Sequence, residues 1–401
     1  MSFQIALSGL NAASTDLQVT SNNVANANTI GFKSSRAEFA DVFSGDAVGI
    51  GNGVRLSDVR QEFTQGNVEI TSRQLDLAIS GNGFFITSDD GTRLYSRVGS
   101  FGLDAGGIVQ NAEGERLQIY APVAGTGGFN QGDLIDLEIT SETAPPVAST
   151  TVDMNINLPA NAPVIGATFD ENDPATYNHS TSTVLYDSLG AAHTATYFFA
   201  RTGASGGWEV NMTFDGTRIS TPPVPQFTFN TTGTIDTPAG GTIAFPTIAV
   251  AGANNLNVAL QLGNTTQYGA NFTVNSVNPD GQAEGRLRGI EIDQTGVVFA
   301  RFSNGQSLTL GKVALANFSN PEGLQKISDT SFQETFGSGN AQTGEASESN
   351  FGLIQSGALE TSNVDLTEQL VRLITAQRLF QANAQVISTQ DTITQTIINI
   401  R

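Results

Sequence analysis

Two hydrophobic periods divide the chain. At the start, Phe3, Leu10, Leu17 and Val24 recur every seventh residue, with Leu7 one turn from Phe3. Ala6, Ala13, Thr20 and Ala27 follow three residues after each of the four. This spacing predicts a helix with a heptad seam whose second position is small. The C-terminal end repeats the theme. Leu366, Leu370, Leu373, Phe380, Ala384, Ile387 and Ile398 lie on one seam, and Leu379, Val386, Ile393, Ile397 and Ile400 on a second beside it. Asp365 followed by Glu368 forms an N-terminal cap for that helix. Neither segment contains Pro.

Between the ends the period changes to two. Leu75, Leu77 and Ile79 alternate with polar residues, and the turn Gly81-Asn82-Gly83 follows. Val152, Met154, Ile156 and Leu158 alternate with Asp153, Asn155 and Asn157. Both runs predict half-buried strands. Asp90-Gly91 and Asn304-Gly305, each between apolar runs, predict hairpins. Trp208 and Tyr197-Phe198-Phe199 read as core of a further β unit. Thr143 to Pro146 and Asn278 to Gly281 interrupt the pattern, and Gly337 to Asn350 reads as a Gly/Ser-rich linker or long loop.

These signals predict an α+β chain that is mainly β, with discontinuous nested domains. Residues 1–32 and 362–401 form a helical, coiled-coil-like inner layer. Residues 33–71 and 351–361 connect it to a first β-domain of residues 72–144 and 285–350. A second, outer β-domain of residues 145–284 is inserted into the first.

Charge narrows the function. Charged residues are 14% of the 401, against about 25% in ordinary globular chains. The net charge is −20, and Lys33, Lys312 and Lys326 are the only lysines. A nucleic-acid binder needs a basic stripe to displace counterions, and an anionic membrane repels such a chain. With no Cys, disulfides and thiolate metal sites are excluded. No apolar stretch approaches the roughly 18 residues of a spanning helix. The N-terminus lacks the basic and apolar regions of a secretory signal, so membrane insertion is not expected and export would use another route. Residues 1–32 carry one charged side chain, Asp16. A solvated helix face normally carries charge, so both faces of this segment suit contact. The pattern alone admits two readings. One is a helical hairpin capping a β-domain. The other is a polymer contact whose termini are disordered in the monomer and become helical on assembly.

Catalytic and ligand signals are weak. His179 and His193 are the only histidines. His193 lies near Asp187 and Ser188 in sequence, but no nucleophile elbow surrounds any Ser. Asp170 to Asp173 resembles a calcium loop, yet Pro174 stands where a ligand is needed. Gly49 to Gly53 lacks the Lys-Ser/Thr of a phosphate loop and reads as a connector. Phe84 and Phe85 read as alternating aromatic core. No catalytic residue, metal site or cofactor is expected.

Five ordered stretches carry a resemblance. They are Ala6 to Ala13; Asn22-Asn23-Val24-Ala25-Asn26-Ala27-Asn28-Thr29-Ile30-Gly31-Phe32-Lys33; Gly81-Asn82-Gly83-Phe84-Phe85; Arg97-Val98-Gly99-Ser100-Phe101; and Gly357 to Leu366, which includes Ser362, Asn363 and Asp365. Together they resemble the rod and hook group of the axial proteins of the bacterial flagellum. Val184 to Gly190, Ser303 to Gln306, Ala314 to Phe318 and Ile398 to Arg401 look like the hook branch of that group. Residues 145–284 match it only patchily.

The resemblance implies a non-enzymatic subunit that polymerises into a curved, flexible tube outside the cell. Its polymer interface would run along Phe3, Leu7, Leu10, Leu17, Val24, Leu366, Leu370, Leu373, Phe380, Ile387 and Ile398. Its partners would be itself, the distal rod protein, the hook cap, the hook-filament junction protein and the flagellar type III export apparatus. A distal-rod-type subunit and a secreted β-rich adhesin are the alternatives. A secreted hydrolase is disfavoured by the missing catalytic motifs.

Overall fold

The structure is a computed structural model. It describes residues 2–43, 51–123, 125, 127–139, 143–203, 206–220, 223–328, 330–348 and 350–399. The chain is mainly β, with a helix near each end: α1 (Ser2–Ala25) and α2 (Leu366–Asn399). It divides into two compact units. The first comprises Met1–Thr140, Gly289–Arg301 and Ser307–Arg401, and the second Ser141–Arg288 and Phe302–Gln306. Among the described residues no helix is long and apolar enough to cross a membrane.

The first unit is organised by the long strand Ser307–Asn317. It pairs antiparallel with Val297–Phe302, Arg116–Pro122, Phe84–Asp89 and Gln342–Glu345 at different points along its length. Alternate residues of these strands meet in an aromatic core of Phe84, Tyr95, Tyr120, Phe318 and Phe332. Phe318 receives the edges of Phe84 and Tyr95 at 5.8 and 4.8 Å, the geometry the ring quadrupoles favour. The Asp90-Gly91 hairpin joins Phe84–Asp89 to Thr92–Ser96. Both turn residues have positive φ, 44° and 90°, as a two-residue turn of matching twist requires.

The second unit packs two sheets face to face. One is built round Thr151–Pro159, the other on His179–Tyr186, Ala192–Thr202, Gly207–Phe214 and Gln226–Phe229. Val152, Met154, Ile156 and Leu158 meet Tyr197, Phe199, Trp208 and Val210 in one core. The predicted alternation and the predicted core aromatics are the inner faces of this sandwich.

Two expectations are corrected. The segment 337–350 is not a linker: Gln342–Glu345 is an edge strand paired with Ser307–Asn317. Its turn is held by Ser and Thr side chains, and their composition alone is indistinguishable from that of a loose linker. The strand Leu77–Ser80 is not half-buried, because Leu77, Ala78 and Ile79 are all fully buried. It pairs with Leu353–Ser356 and is covered on both faces. The terminal segments form the two helices, paired within the single chain. The paired faces are small enough for close approach, as described below. Of the other sequence readings, Gly49, Ile50, Ile400, Arg401 and the Ile397 side chain lie outside the described residues.

Candidate functional site

The two terminal helices run antiparallel. Asn23 of α1 donates to Gln369 Oε1 of α2 at 3.1 Å. A Cβ on Gly9 would stand 2.8 Å from Asn383 Oδ1, so the helices approach closely where one has no side chain. This register leaves the last turns of α2 beyond the start of α1. The residues sealed between the helices are small or polar: Ala6, Ala13, Thr20 and Asn23 from α1, Gln369 and Ala376 from α2. Asp16, the sole charge of α1, faces the same contact. Burial raises its carboxyl above the ordinary value, and the charge of Arg372 on α2 opposes the rise.

The large apolar residues are therefore left over. Phe3, Leu7, Leu366, Leu370 and Ile398 are exposed, Ile398 by 67%. Leu10, Leu17, Val24, Leu373, Phe380 and Ile387 are half-buried. Leu379, Val386 and Ile393, the heptad-spaced second seam, are each about half exposed. The polar residues beside them are equipped for covering. Thr375, Thr389, Thr392, Thr394 and Thr396 each donate their hydroxyl to the carbonyl four residues back, at 2.8–3.0 Å. A hydroxyl satisfied within its own helix can be covered without leaving a donor unpaired.

The base of the hairpin is fastened to the β-structure by a latch. Glu360 is fully buried. Its Oε1 accepts from Lys33 Nζ at 2.6 Å and from Gly66 N at 2.8 Å, and its Oε2 from Arg97 Nη1 at 3.3 Å. Lys33 also donates to Thr64 O at 2.8 Å. The guanidinium of Arg97 lies over the Phe84 ring at 5.3 Å. Burial pulls the pKa of both cations down, and Glu360 opposes the fall. One carboxylate thus joins the segment after α1, the segment before α2 and the aromatic core.

Amide side chains complete the latch. Asn23 receives Ser35 N at 2.9 Å and donates to Ser35 O at 2.8 Å, standing in for a strand neighbour. Asn363 receives Ser34 N at 2.7 Å and donates to Glu62 O at 2.7 Å. Asn26 accepts from Thr29 Oγ1 and donates to Asn22 O, shaping the turn that leaves α1. Gly31 has φ +68°, and its N donates to Glu360 O at 2.8 Å. A Cβ there would stand 2.6 Å from the Val98 side chain, so the turn needs glycine. Phe32 is buried behind it. Asp365 caps α2, accepting from Thr367 N and Glu368 N, while the Ser362 hydroxyl accepts from Val364 N. Asn22 and Ala25 are exposed.

The Gly81-Asn82-Gly83 turn lies apart from this cluster. Asn82 O accepts from Gly352 N at 2.8 Å, and Gly81 N donates to Gln65 of the same 62–67 segment that holds Lys33 and Glu360. Sequence reasoning gave no role to Glu360, Arg97, Gln65, Gly66 or Gln369. Lys33 and Glu360 are 327 residues apart, and no spacing rule joins them.

Elsewhere, His193 Nδ1 is 2.7 Å from Asp215 Oδ2, and Nε2 is 3.5 Å from Asp187 Oδ2. The Ser188 hydroxyl instead accepts from Asn254 N. The ring is a charge clasp between two acids and stacks on Phe214 at 4.8 Å.

Family models match along the chain. "Flagella basal body rod protein" covers residues 3–33, and "Flagellar hook protein FlgE/F/G D1 domain" covers 78–167. "Flagellar basal body protein FlaE D2 domain" covers 157–282, and "Flagellar basal body rod FlgEFG protein C-terminal" covers 355–400. They define the class: a structural protein of the flagellar rod and hook, not an enzyme. The flagellar hook protein FlgE of Salmonella typhimurium is 39% identical over 409 residues, with 100% of both chains covered. That of Borreliella burgdorferi is 32% identical over 438 residues, covering 98% of each. The crystal structure of Helicobacter pylori flagellar hook protein FlgE2 covers 73% of this chain and 100% of that one, at TM-score 0.55 and 17% identity, a likeness of fold. The chain belongs to the flagellar hook protein FlgE family.

Glu360→Gln leaves two buried cations without their anion and should destabilise the full-length chain by about 3–5 kcal/mol in urea unfolding. Lys33→Met should cost less, since Arg97 still pairs with Glu360. A loss under about 1 kcal/mol for Glu360→Gln, the worth of a surface pair, would contradict the latch. For His193, the hydrogen bond to Asp215 raises the pKa, burial opposes, and Asp187 adds to the rise. A pKa raised by folding means that protonation favours the fold. The contribution is complete below the unfolded value of about 6.5 and is lost as pH climbs through the folded value. The melting temperature of the full chain should fall over that range, and His193→Gln should remove this component of the slope. An unchanged slope in the variant would refute it.

Proposed function

We propose that the paired terminal helices are the polymerisation core of a hook tube. The site residues Phe3, Leu7, Leu10, Leu17, Val24, Leu366, Leu370, Leu373, Phe380, Ile387 and Ile398 supply its contacts. The observation that carries this reading is the second seam of α2, where Leu379, Val386 and Ile393 stay about half exposed and stand among self-satisfied threonines. Neighbouring copies would cover that seam. Each copy would present one surface and receive another, and such a contact builds a helical assembly when its rotation does not close. Nucleic-acid binding and membrane insertion have no place in this reading.

The latch gives the tube its mechanics. Force on the helix core reaches the β-structure through Lys33, Glu360 and Arg97, so each subunit would move as a body about its fastened base. The nested division into a helical core (1–32, 362–401), connector (33–71, 351–361), first β-domain (72–144, 285–350) and outer β-domain (145–284) belongs to this proposal. Outer-domain contacts would slide while the helix core holds, making the tube a curved universal joint that passes torque from rod to filament. The subunit would leave the cell through the flagellar type III apparatus without a cleaved signal. It would assemble beneath the hook cap on the distal rod protein and meet the junction protein at the filament end.

Electron microscopy of assembly tests the reading. Full-length protein should form curved tubes. A chain lacking residues 1–28 and 366–401 should not, and neither should the surface variant Leu379→Asp/Val386→Asp, whose monomer should melt as the parent does. Tubes from the double variant would contradict the assignment of the seam. Straight, rigid tubes from the parent would favour a distal-rod-type subunit.

A further inference from the structure

Phe336 takes no part in the hairpin, the latch or either core. Its side chain is fully exposed, at 106% of the reference area. An exposed aromatic in a loose loop would be unremarked, but this turn is fixed. Thr335 N donates to Ser338 Oγ at 2.9 Å, and Ser338 Oγ donates back to Thr335 O at 2.9 Å. Thr335 Oγ1 accepts from Gly337 N and Ser338 N and donates to Gly323 O at 2.6 Å. Gly337 O accepts from Asn320 Nδ2 at 3.0 Å, and Ser338 is fully buried. A Cβ on Gly323 would stand 2.5 Å from the Gly337 carbonyl carbon, so two backbone segments pack closely in this turn. Glu334 closes the loop by accepting from Ala341 N at 3.0 Å.

We propose that Phe336 is an intersubunit anchor, a preformed aromatic knob that inserts into an apolar recess on a second copy of this chain. The inference rests on the polymer reading above. Three features fit it. The turn is ordered before contact, so docking loses little conformational entropy. Its amides and carbonyls named above are bonded within the chain, so covering them leaves no unpaired group. Each copy carries a net charge of −20, which repels another copy at long range. Attraction between copies must then be short-range and apolar, and residues 335–339 carry no charge.

The test is assembly of the full-length chain, followed by sedimentation. Phe336→Ala should raise the critical concentration for tubes by about tenfold or more, as loss of a buried aromatic anchor does. The monomer melting temperature should not move, because the ring touches nothing in the chain. Phe336→Leu should restore most of the assembly. A photoreactive benzoylphenylalanine in place of Phe336 should crosslink to a second copy, in tubes and in flagellated cells. If the parent assembles and Phe336→Ala assembles equally well, the anchor is refuted while the polymer reading stands. If the parent forms no tubes under any condition, both fall. Crosslinks to a different protein alone would refute the second copy as occupant.

Discussion

Everything in the first unit depends on where Glu360 places its charge. A carboxylate removed from water is unfavourable unless its oxygens are paired. Here the partners come from three places: Lys33 after α1, Arg97 beside the aromatic core, and Gly66 between two strands. No one of these segments can shift without stranding a buried charge. The latch therefore sets the geometry with which both ends of a 401-residue chain leave the β-structure together. Asn23 and Asn363 refine it by acting as detached pieces of backbone, bonding to Ser35 and Ser34 where the chain enters the strand Ser35–Asp41.

From that fixed base the helices extend with few charges to solvate them: Asp16 on α1, and Glu368, Arg372, Arg378 and Asp391 on α2. Their mutual contact is small-residue packing, and it leaves the bulky residues outward. A coiled coil ordinarily seals its large residues. This hairpin seals Ala6, Ala13 and Ala376 and leaves Leu379, Val386 and Ile393 half exposed. The inversion separates two tasks on one helix. One face closes the chain on itself, and the other remains free for a neighbour. Membership of the hook family gives an acidic, cysteine-free chain a reason to keep such a face.

Much of this was legible in the sequence. Period and turn chemistry are local, so both helices, the Asp90-Gly91 hairpin and the sandwich strand with Val152 and Met154 could be read directly. The two heptad seams were visible as well, but which seam faced inward was not, because small and large residues obey the same period. Contact depends on how closely two backbones approach, and Gly9 against Asn383 decides it. The latch was illegible for a different reason. Its residues stood within the motifs that carried the family resemblance, yet their pairing is a property of the folded chain. The segment 337–350 was misread for a third: hydroxyls that lock a turn look the same in sequence as hydroxyls that solvate a linker.

The central claim is that one hairpin serves both the subunit and its neighbours, with the base held by the chain and the far half held by assembly. Hydrogen–deuterium exchange along α2, on the monomer and on assembled tubes, tests it most directly. The account predicts that residues near Gln369 and Ala376 are protected in both states. Residues from Leu379 to Thr396 should exchange readily in the monomer and slow by about a hundredfold or more in the tube. Equal protection of the far half in both states, or none in either, would contradict it.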